Sequence, residues 1–142
     1  NTLNSATHDL SSGDYNWCCF KSQQAAEYSV KALLRGLGQM AIGHSVLKLL
    51  EELEEAGSRI SEELKSFSRS LDKHYIPPRY PNAYPAGAPF EFYDEKIAKE
   101  AVEYASKIIE FVKAEFVCVG LTDASIRNSV DEHKAHDKER YV

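Results

Sequence analysis

Residues 15–37, YNWCCFKSQQAAEYSVKALLRGL, decide the fold. Tyr15, Cys19, Ala26, Val30, Leu33 and Leu37 recur at helical spacing, and Gly38 supplies a stop. The pattern predicts a helix of roughly 23 residues, ~35 Å long. Cys18, Cys19, Ala25 and Ala26 are small enough for a neighbouring helix to approach closely. Glu27, Lys31 and Arg35 stand four apart and read as a solvated polar edge.

Outward from this helix, Leu3 to Leu10 reads as the end of another, closed by Ser11-Ser12-Gly13. Gly43-His44-Ser45 opens a third, with Ser45 as N-cap and Val46, Leu49, Leu50 and Leu53 on its buried side, and Gly57-Ser58 ends it. Ser61 caps a fourth, whose first turn carries Glu62 and Glu63 and whose Ile60, Leu64, Phe67 and Leu71 face inward. A last helix begins at Asp94, buries Ile97, Ala101, Ala105, Ile108 and Val112, and ends before Gly120. Between the fourth and the last, Pro77, Pro78, Pro81, Pro85 and Pro89 forbid a helix from Tyr75 to Phe92, and Tyr75, Tyr80, Tyr84, Phe90 and Phe92 supply the aromatic surface to order that loop. Strand-like alternation is absent. The expected architecture is all-α: an antiparallel up-and-down bundle of four to five helices, with one long loop rich in proline and aromatic residues before the last long helix. Residues 1–121 form the bundle, and residues 122–142, which mix charges of both signs, form a tail that is a frayed helix or disordered.

The chain has 142 residues, 43% of them hydrophobic and 27% charged, which suits a single packed domain. A net charge of −5 opposes broad attraction to phosphate backbones. No run approaches the ~20 apolar residues of a spanning helix, so no membrane role is expected and the location is read as cytoplasmic. Cys18, Cys19 and Cys118 show no Cys-x-x-Cys spacing and are expected to be small core residues. His133 and His136 are too isolated for a metal site, and no metal or cofactor is expected. Signatures of nucleotide hydrolases, zinc proteases and serine hydrolases are missing.

What remains is a constellation: Gln23-Gln24-Ala25-Ala26-Glu27 with Lys31, then His44, then Tyr75 with Arg79-Tyr80-Pro81. Followed by Lys31-Ala32-Leu33, the leucines after His44 and an alanine-spaced final helix, this order resembles the HEPN domain family, of the type associated with prokaryotic nucleotidyltransferases. The likeness covers residues 3–117. It implies an antiparallel helical bundle, homodimerisation, nucleotide binding, and pairing with a minimal nucleotidyltransferase in a toxin-antitoxin-like two-gene module. Many relatives are metal-independent ribonucleases marked by an arginine, four to six residues and a histidine. Arg79 matches the arginine, but Tyr84 stands where the nearest histidine is needed. Tyrosine titrates near ~10 and is a poor substitute for imidazole at neutral pH. Arg127 and His133 satisfy the spacing only in the polar tail.

The expected function is therefore a non-catalytic binding module, with Gln23, Gln24, Glu27, Lys31, His44, Tyr75, Arg79 and Tyr80 as candidate ligand-binding residues; the alternative is a ribonuclease. Each residue also has a structural role open to it. Arg79 can pair with Glu27, Gln23 and Gln24 can bond loop carbonyls, His44 can serve the helix start, and the tyrosines can anchor the loop.

Overall fold

The computed structural model describes residues 2–75 and 93–120. Among them are five helices and no strand: α1 (Thr2–Ser12), α2 (Tyr15–Gly36), α3 (Val46–Glu55), α4 (Glu62–Asp72) and α5 (Glu95–Cys118). The stretch from 76 to 92, with Arg79 and Tyr80, and the tail from 121 onward, with Arg127 and His133, lie outside the described residues.

The helix boundaries follow local chemistry. Ser45, Ser61 and Asp94 each accept a backbone N–H three residues on, from Lys48, Leu64 and Ile97, which satisfies donors no helical carbonyl reaches. Asp14 makes no such side-chain cap at the start of α2. At the far end of α2, Gly38 adopts φ 79°, and the Gly38 and Gln39 N–H groups bond Arg35 O and Leu34 O, both at 2.9 Å. That pair of bonds requires a left-handed residue, which glycine supplies without strain. α1 differs from expectation in running through Ser11 and Ser12. The Ser11 hydroxyl bonds the carbonyl of Thr7 four residues back, so the serine sits inside the helix, and the break falls at Gly13.

α2 is the central element. It packs most extensively on α5 and on α1, and touches α3 and α4 as well. The turn to α1 is only Gly13-Asp14, so these two helices fold back as an antiparallel hairpin. Lys21 holds them together, its ammonium 2.7 Å from Asp9 and 2.9 Å from the Ser5 hydroxyl. Small residues make the α2–α5 approach close: Cys18 and Cys19 are fully buried, and the Cys18 thiol lies 3.9 Å from the Ala98 carbonyl. Ala98, Ala101 and Ala105 give way to Ile108, Val112 and Phe116 along the buried face of α5. Phe67 of α4 stacks on Tyr104 of α5, ring centres 4.4 Å apart.

Two expectations fail here. Cys118 is exposed, because it closes α5 beyond the reach of its neighbours. Glu27 and Lys31 are not a solvated edge: they are 2% and 1% exposed, with Arg35 half-buried. A helix packed against four others has little free perimeter, so a polar edge on it becomes interior.

Candidate functional site

The buried polar stripe of α2 consists of Gln23, Glu27 and Lys31, one residue per turn. Each needs a partner, because burying a charged or amide group without one costs several kcal/mol. Glu27 is the hub. Its Oε2 lies 3.2 Å from the Lys31 ammonium and its Oε1 3.2 Å from Nδ1 of His44. Burial alone would push the Glu27 carboxyl up; the His44 hydrogen bond and the Lys31 charge overcome that and hold it below its usual range.

His44 arrives from the connection before α3. The Gln23 amide N–H donates to the His44 carbonyl at 2.7 Å and fixes the backbone beside the ring. The imidazole stacks on Tyr75, centres 4.5 Å apart and 14° between planes, and its side chain remains 28% exposed. Nδ1 faces the carboxylate, so Glu27 selects the Nδ1–H tautomer of a neutral ring. A half-open imidazole oriented by a buried carboxylate can donate, accept or stack.

Asp72 was invisible to sequence reasoning. At the end of α4 it accepts the N–H groups of Val46 and Leu47, at 2.8 and 3.2 Å, and the Ser45 hydroxyl at 2.8 Å. It therefore ties the start of α3, one residue from His44, to the segment that carries Tyr75. Burial pushes its carboxyl up from the usual value, against the pull of those hydrogen bonds. Helical periodicity offers no signal for such a contact, because its partners are 25 to 27 positions away.

Of the residues singled out in the sequence, Gln23, Glu27, Lys31, His44 and Tyr75 come together. Gln24 lies on the half-exposed face of α2, and its amide makes no hydrogen bond among the described residues. Arg79 and Tyr80, and with them the expected Arg79–Glu27 pair, lie outside the described residues; Glu27 is bonded by Lys31 and His44. Among the described residues no group of three or more His, Cys, Asp or Glu side chains is arranged to hold a metal ion, and no helix is long and apolar enough to cross a membrane.

The sequence profile of the HEPN domain matches residues 1–115. Three crystal structures are similar. Protein TT1696 from Thermus thermophilus shares 45% identity over 80% of this chain and 88% of its own, with a TM-score of 0.70. A HEPN domain protein from Thermotoga maritima shares 40% over 82% of this chain and 91% of its own, at a TM-score of 0.66. An archaeal HEPN homologue shares 38% over 80% and 88%, at 0.65. Curated proteins give no match.

Proposed function

The chain belongs to the HEPN family, and from that premise we propose that it is a non-catalytic binding module, a homodimer that takes a nucleotide on the Glu27–His44–Tyr75 face and pairs with a minimal nucleotidyltransferase in a toxin-antitoxin-like two-gene system. The observation that supports this is the buried Glu27–Lys31 pair with its attached imidazole. A buried ion pair adds little net stability over apolar side chains of the same volume, and this one orients an imidazole toward the surface.

Calorimetric titration with ATP and GTP tests the nucleotide, and recovery of a nucleotidyltransferase from the native host tests the partner. Binding that weakens by about tenfold or more in His44→Ala and Tyr75→Ala is the expected result. A wild-type protein that binds neither nucleotide and recovers no nucleotidyltransferase sinks the proposal. Analytical ultracentrifugation checks the dimer.

A metal-independent ribonuclease is the second reading. One observation favours it: Glu27 orients the His44 ring through Nδ1, the arrangement a general base uses. Against it stands Tyr84, where the family's ribonuclease signature needs a histidine. RNA left intact by the purified protein without metal removes this reading.

A further inference from the structure

Four rings form a continuous path, of which only the Tyr75–His44 end belongs to the site described above. Trp17 meets Phe20 edge-on at 5.9 Å, Phe20 meets Tyr75 at 6.3 Å, and Tyr75 stacks on His44 at 4.5 Å. The path begins in solvent, for Trp17 is 45% exposed, and ends against the buried Glu27. On α2 the positions 17, 20, 24 and 27 follow the spacing that lines one helix face. Gln24, with its amide unengaged among the described residues, therefore stands between the Trp17–Phe20 pair and the Glu27–His44 pair.

Charge says what this face can hold. α2 carries two lysines in this region, and both are occupied: Lys21 by Asp9 and Ser5, Lys31 by Glu27. Glu27 and Asp72 add carboxylates behind the ring path. Among the described residues a phosphate brought here finds both α2 lysines already paired and only the Asp72 carboxylate, without a lysine or arginine partner, behind the rings. An uncharged heterocycle meets aromatic faces to stack on, and a carboxamide with the donor and acceptor geometry that reads the edge of a base.

Resting on the nucleotide reading above, we infer that the Trp17–Phe20–Gln24 stripe is a stacking subsite for a nucleobase, and that the base rather than the phosphate carries recognition on this face. Trp17 is the chain's single tryptophan, so its emission reports the subsite directly.

The test titrates the full chain with the four common ribonucleosides, their monophosphates and inorganic phosphate, following Trp17 emission and heat. At least one nucleoside is expected to quench Trp17 and to bind within about threefold of its monophosphate, with little dependence on salt, while phosphate alone does nothing. Trp17→Ala, at an exposed position, and Gln24→Ala, at a half-exposed one, are expected to keep the helical circular dichroism spectrum and to weaken nucleoside binding by about tenfold. Nucleotides binding about tenfold or more tighter than nucleosides, with a steep salt slope and a silent Trp17, overturn the subsite and leave the nucleotide reading standing. Binding of neither class overturns both.

Discussion

His44 and His74 each pack beside a tyrosine, and their surroundings are opposite. The His44 ring stacks on Tyr75, keeps 28% of its side chain in solvent and has a carboxylate 3.2 Å from Nδ1. The His74 ring tilts against Tyr93 at 5.7 Å, is 5% exposed, and its Nδ1 finds no hydrogen-bond partner among the described residues. Burial, with Lys73 adding to it, pushes His74 down to about 4. One region surrounds a polar ring with partners and leaves it accessible; the other uses an imidazole as a neutral core ring. The difference teaches that the group behind a histidine, and not the aromatic ring beside it, decides whether the imidazole stays polar and accessible.

The hardest way to break this contrast is at the carboxylate. Glu27→Gln leaves the Lys31 ammonium in the interior opposite a neutral amide, and the expected loss is about 3–5 kcal/mol in urea melts. The double variant Glu27→Met with Lys31→Met should recover most of that stability while abolishing nucleotide binding. If it kept binding, the pair would be structural and the two regions alike.

His74 gives the next largest effect, and its sign is opposite to that of a basic group gaining an acidic partner. Its folded value lies below the ordinary ~6.5, so the unfolded chain takes up the proton first. The stabilisation is complete above about pH 6.5 and is lost as pH falls toward 4, by about 3 kcal/mol. His74→Phe should flatten that part of the stability profile without altering binding. Glu27, held below the usual carboxylate range, loses its contribution only at still lower pH as it protonates. An unchanged acid limb in His74→Phe would show that the ring is not the neutral core group described.

The smallest expected effect lies at Asp72. Asp72→Ala removes the acceptor for Val46, Leu47 and Ser45, at a cost of about 1–2 kcal/mol. Faster hydrogen exchange at the Val46 and Leu47 amides, with weaker nucleotide binding, would show that this carboxylate holds His44 and Tyr75 in register. Exchange that speeds up while binding stays intact would reduce Asp72 to a helix cap.

Helix order and most helix ends were readable from the chain itself, the end of α1 at Ser11 and Ser12 excepted. Apolar spacing and the caps at Ser45, Ser61 and Asp94 are short-range properties, decided within a few residues, and so is the glycine after α2. The family and the cluster of Gln23, Glu27, Lys31, His44 and Tyr75 were also present in motif order. Tertiary structure alone decided which side of a helix is wet. Lys31 has the same spacing whether α2 is a surface helix or a central one, and only the helices packed around it bury its ammonium beside Glu27. The same holds for Asp72 reaching α3, for Cys118 lying in solvent and for the ring path from Trp17 to His44. Each depends on how segments far apart in the chain pack, or where that packing stops, which no local pattern encodes.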